Sequence, residues 1–428
     1  MEGDWTQKEI DSCRVCKFRL LVPVLSLGEQ FVSNFVDSNV IDEEKIPLEL
    51  VLCDKKSGGC GLLQLKHTTN PDVMYKQYWY ISGINKTMTD ALKDITEKAE
   101  KIVNLKKNDI VLDIGCNDGT MLRNYSRKDI RLVGVDPAKN MEEFSSVRTT
   151  KIIVDYFSSE AFHKEFPNEK AKIITSIAMF YDLDNPNKFV NDIRKCLYKD
   201  GIWIIQMSYL PSMIEQNAFD NICHEHVCYY SLLSLETLLN KHRLVIFDVE
   251  LNDVNGGSFR VYIKHENGVV GSIDGDKRVD KLRRFEKTFG LESESVYKEF
   301  ASRVENFKKK TLELINKINM NEERIYVYGA STKGNTLLQY YNLNNSHIVA
   351  AAERNPVKYG KKTIGSWIPI ISEQEARDAK PDYFLILPWH FFNEFKERER
   401  AFLQSGGKFI LPLPVPKIVT HKKEVYLD

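Results

Sequence analysis

The chain has 428 residues, 43% of them hydrophobic, and its 60 Lys and Arg balance its 60 Asp and Glu. A formal net charge of zero gives no overall field to draw in nucleic acid or an anionic membrane surface, and no apolar run approaches the ~20 residues a membrane span requires. The length leaves room for about three domains, and the opening Met-Glu-Gly-Asp-Trp lacks the basic and apolar leader of a secreted protein, so a bacterial-type cytoplasm is expected.

Eight cysteines in that compartment suit metal ligands, buried thiols or site residues better than disulfides. Cys13-Arg-Val-Cys16 forms a tight knuckle, and Cys53 and Cys60, with Gly58 and Gly59 in the loop between them, can fold back to complete a tetrahedral four-thiolate zinc site. The β-like stretches between the pairs, such as Leu20–Pro23 and Pro47–Leu52, make a small module with little core, which zinc would stabilise. With all four positions filled the zinc would be structural. The alternative is four free thiols. An aromatic cluster follows, Tyr75, Tyr78, Trp79 and Tyr80, leading to Ser82-Gly83 and a polar helical stretch from about Thr87. It reads first as packing, although a tyrosine hydroxyl can reach a ligand.

Asp109-Ile-Val-Leu-Asp-Ile-Gly-Cys-Asn-Asp-Gly-Thr120 reads as a buried parallel strand, a tight glycine turn and a helix start. Asp113 and Asp118 put carboxylates at the mouth of the turn, and the next strand, Ile130–Val135, ends in Asp136, placed to accept hydrogen bonds from the ribose hydroxyls of a bound nucleoside. The turn lacks the G-x-G-x-x-G of a dinucleotide fold. Its pattern resembles the S-adenosylmethionine turn of class I methyltransferases, which has no pyrophosphate to cradle. A bare Gly-bearing βα turn is the alternative. Strands at 151–154, 172–178 and 201–207, with helices near 119–127, 138–147 and 187–198, continue the alternation and predict a doubly wound sheet whose ligands meet the strand ends at Gly115, Asp136, Asp155-Tyr156, Ala178–Tyr181 and Gln206-Met207.

Phe219-Asp-Asn-Ile-Cys-His224-Glu225-His226-Val-Cys228 comes next. A metal reading lacks the H-E-x-x-H spacing of zincins. In an extended segment His224 and His226 would share one side, and one of them suits a general base, since imidazole titrates near neutrality and a carboxylate can orient it. Residues 273–320 read as charged helices with apolar positions at Leu282, Phe285, Tyr297, Phe300, Val304, Phe307 and Ile315, joining two α/β lobes. The second lobe opens at Arg324-Ile-Tyr-Val-Tyr-Gly329-Ala-Ser331-Thr-Lys333-Gly334, a strand and helix start offering amides, a hydroxyl and an ammonium to an anion in an order unlike a Walker loop. Ile348–Glu353, Tyr383–Pro388 and Lys408–Leu411 read as further strands of its sheet, with Trp389-His390 beyond one end.

These parts in this order resemble the zinc-containing sugar-nucleotide C-methyltransferases that decorate deoxysugars. The resemblance covers nearly the whole chain: the four-cysteine module, the Gly-Cys-Asn-Asp-Gly turn, the aromatic-Ser-Gly segment, Glu225-His226, Gly256-Gly257, the Gly-Ala-x-x-Lys turn and the terminal Pro-Leu-Pro. It implies an α/β chain with a zinc-binding module at 1–70, a class I methyltransferase domain at 71–270, a helical connection at 271–320 and a Rossmann-like substrate domain at 321–428. The implied activity is S-adenosylmethionine-dependent methylation at C3 of a nucleoside-diphosphate-linked 4-keto-6-deoxy sugar. His226 would be the base, Glu225 its neighbour, and Tyr80 the hydroxyl that steers protons or polarises the ketone. Asp113, Gly115, Cys116, Asn117, Asp118, Gly119, Asp136, Pro137, Asp155, Tyr156, Ala178 and Met179 would hold the cofactor. Tyr78, Cys223, His224, Asn255, Gly257, Arg260, Ser331, Lys333, Glu353, Trp389 and His390 would meet the sugar nucleotide, and Cys13, Cys16, Cys53 and Cys60 the zinc. No nucleic acid or membrane partner is expected, and the protein would be a monomer or small homo-oligomer. The chain departs from the family at Cys223, where a tyrosine is usual, and at Met179–Asp182, which bears on the sugar and the methylated position. O-methylation of a sugar or small metabolite, and a non-catalytic zinc-bearing nucleotide-binding scaffold, are the competing readings.

Overall fold

A computed structural model describes residues 7–37, 44–76, 80–84 and 86–427. Near the N-terminus an antiparallel sheet runs Leu21–Phe31, Lys45–Cys53, Leu63–Leu65, and then takes its fourth strand, Cys228–Tyr229, from far along the chain. Leu48, Leu50 and Leu52 alternate inward, and Val51 and Cys53 are buried as well, so the strand is half-buried at its start and covered on both faces at its end.

The second sheet has seven strands in the spatial order Leu244–Asn252, Ser258–His265, Leu197–Ser208, Ala171–Ile177, Ile110–Ile114, Arg131–Val135, Lys151–Ile153. The last five are parallel, and Ser258–His265 runs antiparallel to both of its neighbours. All of Ile110–Ile114 is buried, as its apolar sequence requires. The chain leaves this strand toward one edge and returns on its other side at Ala171–Ile177, which opens a crevice at the C-terminal ends of those two strands. This is the doubly wound sheet that the class I methyltransferase reading expects.

The third sheet repeats the frame: Ile370–Ser372, Ala351–Glu353, Ile325–Tyr328, Tyr383–Ile386 and Lys408–Leu411 are parallel, followed by antiparallel Lys417–Val419 and Glu424–Tyr426. Helices Gly275–Phe289 and Glu294–Met320 link the two α/β units, the latter burying Tyr297, Phe300, Val304, Phe307, Ile315 and Ile318 at helical spacing while Phe285 of the former stays 39% exposed.

Two expected helices are shorter than their sequence suggests. The first is only Thr120–Arg123, because the Ser126 and Arg127 amides are taken by the Glu100 carboxylate of helix Lys86–Ile102 instead of by helical carbonyls. The second is a 3₁₀ turn, Lys139–Met141, followed by Glu142–Ser145. Among the described residues no helix is long and apolar enough to cross a membrane.

Candidate active site

The N-terminal knuckle brings the Cys13, Cys16, Cys53 and Cys60 sulfurs within 4.8 Å of one another, with Cys13–Cys60 at 3.6 Å and Cys16–Cys53 at 3.4 Å. A tetrahedral zinc with ~2.3 Å bonds holds its sulfurs about 3.8 Å apart, so the four thiols fit it and leave no open position. Thiols this close cannot all ionise without a cation: contact with Cys13 and Cys53, then burial, pushes Cys60 upward. The loop between the second pair needs Gly59, where a Cβ would lie 2.6 Å from the Cys53 sulfur. Arg14, inside the knuckle and 2% exposed, ties it to the core through Asp184 at 3.1 Å and Thr68 at 2.5 Å.

At the end of strand Ile110–Ile114 the chain turns through Gly115 (φ 72°), Asn117 (φ 48°) and Gly119 (φ 74°). A Cβ on Gly115 would stand 3.1 Å from Met179 Cγ, so glycine is what lets the neighbouring strand's loop come this close. Asp136 accepts from the Asn117 amide at 2.8 Å and the Ala138 amide at 2.9 Å, joining the two strand-end turns. Burial raises its carboxyl against the pull of those amides. Asp113 accepts from the Thr175 hydroxyl at 2.6 Å, and burial pushes it up to about 7.

Asn117 and Asp118 clasp the aromatic-Ser-Gly segment to this turn. The Asn117 side chain donates to the Tyr80 carbonyl at 2.9 Å and accepts from the Ser82 amide at 3.0 Å, and Asp118 accepts from the Gly83 amide at 3.0 Å. A Cβ on Gly83 would sit 2.6 Å from Asp118 Oδ2. Tyr80, 44% exposed, is thereby carried beside the cofactor turn, and crowding by the surrounding chain, then the Asp118 charge, pushes its phenol upward, so it keeps its proton. Tyr78 lies outside the described residues.

Some predicted contacts turn inward. The Cys116 side chain is buried against Gly134, whose Cβ would fall 2.6 Å from its sulfur, so only its backbone faces the turn. Arg260 is 3% exposed and bonds Gln206 at 2.9 Å and Asp94 at 2.8 Å, fixing helix Lys86–Ile102 to the sheet. Tyr156 donates to Asp72 at 3.1 Å, and Asp155 accepts from the Tyr156 amide. Ala178 takes φ 54°, and its amide donates to the Gln206 carbonyl at 2.8 Å.

The His-Glu-His segment is a turn, closed by the His226 amide on the Cys223 carbonyl at 3.0 Å, and not the extended stretch that alternation predicts. In a turn the side chains sort differently. His224 swings out to the Ile46 carbonyl at 2.9 Å, and burial lowers it to about 4. Cys223, Glu225 and His226 instead converge, with donor atoms within 4.8 Å of one another. His226 Nδ1 donates to the Asn221 carbonyl at 2.9 Å, which leaves Nε2 with its lone pair free for a proton. The Tyr181 ring lies 4.2 Å from the imidazole between centroids. Burial raises Glu225 to about 7, and burial followed by the Lys333 charge lowers His226 to about 3. The same ammonium acts on Cys223, which opposes a second metal here and favours an acid–base cluster.

Lys333 reaches this turn from the third sheet, donating to Asn221 Oδ1 at 2.5 Å. Ser331 caps its own helix through the Gly334 amide at 3.0 Å. Glu353 is occupied by the Ala330, Arg354 and Asn355 amides at 3.1, 2.7 and 2.8 Å. Trp389 donates to Asp220 at 3.0 Å and covers Gly256, where a Cβ would meet its ring at 2.9 Å. His390 is lowered to about 3 by burial and then Lys333. Asn255 (φ 55°) and Gly257 (φ 112°) shape the loop beneath, and a Cβ on Gly257 would fall 2.7 Å from Ser212. Sequence reasoning missed Asn221 and Arg14, and placed Tyr181 only at a strand end that ligands meet, not against His226. Asn221 lies within the quoted segment, but its role comes from its carbonyl and its reach to Lys333, which no spacing reveals.

Residues 84–246 match a family model described as a methyltransferase domain, which with the sheet makes the chain a methyltransferase. Residues 253–414 match a C-methyltransferase C-terminal domain, and residues 13–75 a model described as "Putative zinc binding domain". C-methyltransferase NovU of Streptomyces niveus is 30% identical over 419 residues, covering 96% of this chain and 98% of that protein. The chain belongs to this C-methyltransferase family: it is an S-adenosylmethionine-dependent C-methyltransferase with a zinc-binding N-terminal module. Among solved structures, an S-adenosylmethionine-dependent methyltransferase from Clostridium acetobutylicum ATCC 824 aligns at 15% identity and TM-score 0.34, covering 41% of this chain and 92% of its own. N-methyltransferase NodS from Bradyrhizobium japonicum WM9 aligns at 12% and 0.32, covering 42% and 97%.

Proposed function

We propose that the protein methylates carbon next to a ketone, C3 of a nucleoside-diphosphate-linked 4-keto-deoxysugar, with His226 as the base. The reading rests on one observation above all: His226 has Nδ1 anchored on Asn221 and, among the described residues, no hydrogen-bond partner at Nε2, in a turn that Lys333 of the third sheet also reaches. In the proposed step the C–H bond beside the ketone breaks, its proton goes to His226 Nε2, and the electron pair is delocalised onto the ketone oxygen as an enolate. The enolate carbon then forms a bond to the methyl group of S-adenosylmethionine while the S–CH₃ bond breaks, releasing S-adenosylhomocysteine. Tyr80, still protonated, donates to the developing oxyanion, and Glu225 takes part in proton transfer beside His226. The Gly115–Gly119 turn with Asp113 and Asp136 holds the cofactor. Lys333, with the helix start behind it, meets the diphosphate.

On this reading the enzyme works in the cytoplasm, with the zinc module at 1–70, the cofactor domain at 71–270 and the substrate domain at 321–428. The test is mass spectrometry of the product formed with S-adenosylmethionine and a panel of 4-keto-6-deoxy sugar nucleotides in deuterated water. A carbon-bound methyl in the product, with solvent deuterium exchanged into the carbon beside the ketone of substrate recovered unmethylated, supports the reading. An O-methyl product, or none across the panel despite cofactor binding, overturns the substrate.

A further inference from the structure

One residue joins the base to the substrate side of the site. The Asn221 carbonyl accepts from His226 Nδ1 at 2.9 Å and from the Tyr229 hydroxyl at 3.3 Å, while its side-chain oxygen accepts from Lys333 Nζ at 2.5 Å. Asn221 is itself 4% exposed, so this bridge is shielded from water. We infer that Asn221 is a positioning residue through which an anion bound at Lys333 sets the orientation and basicity of His226.

The inference rests on the diphosphate reading above. Its physical content is a problem and its remedy. An imidazole held near 3 is a weak base, and after burial the largest contribution to that depression is the Lys333 ammonium. The other groups facing His226 are Glu225 and Cys223 from its own turn, Tyr181 from the Phe180–Asp182 turn, and Tyr229 across the shared carbonyl. Among the described residues Lys333 is the cation acting on it, and Lys333 also faces Asp220, whose Oδ1 is buried without a partner. A diphosphate at Lys333 would draw the ammonium off the Asn221 side chain that holds it beside the turn. The field on His226 would then relax when the substrate is in place, and the base would gain strength in the loaded site.

The experiment follows the ring signals of His226 in the zinc-loaded full chain with S-adenosylhomocysteine, using histidine-labelled protein and His226→Asn for assignment. Uridine and thymidine diphosphates are the probes, and calorimetry reports their binding. In the wild type a bound probe should raise the His226 midpoint by roughly one pH unit, the low end of what a nearby charge does. Lys333→Met should raise it without any probe, and adding probe should move it no further. Asn221→Ala should bind the probe within about threefold of wild type yet lose the shift, and should lower kcat more than it raises KM. Asn221→Asp, which keeps an acceptor, should restore the shift. A wild-type midpoint unmoved by bound probe, or the same shift in Asn221→Ala, overturns the inference and leaves the diphosphate reading standing. Failure of both probes to bind overturns the diphosphate reading and the inference with it.

Discussion

The two α/β units share a frame and differ in charge. In each, a buried strand ends in a glycine turn and helix start, and the next strand ends in an acid that grips backbone amides of both turns: Asp136 holds Asn117 and Ala138, and Glu353 holds Ala330, Arg354 and Asn355. The first turn gathers Asp113, Asp118 and Asp136, a field suited to a cofactor carrying a sulfonium and an ammonium. The second carries Lys333, with Lys358 3.4 Å from Glu353, a field suited to an anion. One scaffold can thus present opposite charges to two ligands, and the Cys223–His226 turn, to which we assign the proposed base, is reached by Lys333 of the second unit through Asn221. That turn is held from a third side, because Cys228–Tyr229 is a strand of the zinc module's sheet and His224 bonds Ile46.

The sharpest way to break this picture is to remove the zinc. Structural zinc contributes on the order of 10 kcal/mol to small modules, and here the module's sheet and Ile46 hold the turn that bears the proposed base. Chelation should release one zinc per chain, read by elemental analysis, and abolish turnover, with activity returning on zinc addition. Full turnover without zinc would detach the module from the site. His226→Asn is the next largest expected effect. It should lower kcat by about 10²–10⁴ while calorimetry finds cofactor and nucleotide diphosphate bound as before, since both units keep their turns. Unchanged turnover would remove His226 from the base role.

A third test concerns the grip of the module on the turn. His224 is kept neutral by burial, its value near 4 against an ordinary 6.5. The unfolded chain takes up a proton below 6.5 and the folded one does not until about 4. The stability this neutral histidine supports is therefore complete above 6.5 and is lost as pH falls through that window. At about 1.36 kcal/mol for each pH unit between the two values, the loss reaches at most about 3 kcal/mol. His224→Gln, which keeps a donor for the Ile46 carbonyl, should flatten the fall in urea midpoint between pH 6.5 and 4. An equally steep fall would assign it to other groups.

Both α/β frames were legible because buried parallel strands read as apolar runs and their turns are marked by glycine and a following acid, as at Gly115 and Asp136 or Gly329 and Glu353. The four zinc cysteines were legible from spacing. The direction of side chains in irregular backbone was not: alternation placed His224 beside His226, whereas one hydrogen bond between His226 and Cys223 makes a turn that sends His224 to Ile46 and gathers Glu225 instead. Arg260 reads as a cation in a strand, yet its partners Asp94 and Gln206 lie 166 and 54 positions away. The two final strands, Lys417–Val419 and Glu424–Tyr426, are short and half-polar, and belong to the sheet only through their pairing.

The comparison of the two units is sharpened most by a mirrored pair of substitutions. Asp136→Ala removes the carboxylate that pins the first turn and that a nucleoside's ribose hydroxyls would meet, so cofactor affinity should fall by about 1–3 kcal/mol, the range for hydrogen bonds to charged groups. Glu353→Ala removes the corresponding carboxylate from the second unit and also frees Lys358 of an acidic neighbour, so nucleotide diphosphate affinity should change while cofactor affinity holds. Two calorimetric titrations on each variant separate the cases. If each substitution disturbs only its own ligand, the units are independent sites built on one design. If Glu353→Ala weakens the cofactor as much as Asp136→Ala does, the acids act by holding the two units against the shared turn, and the division of labour by charge is wrong.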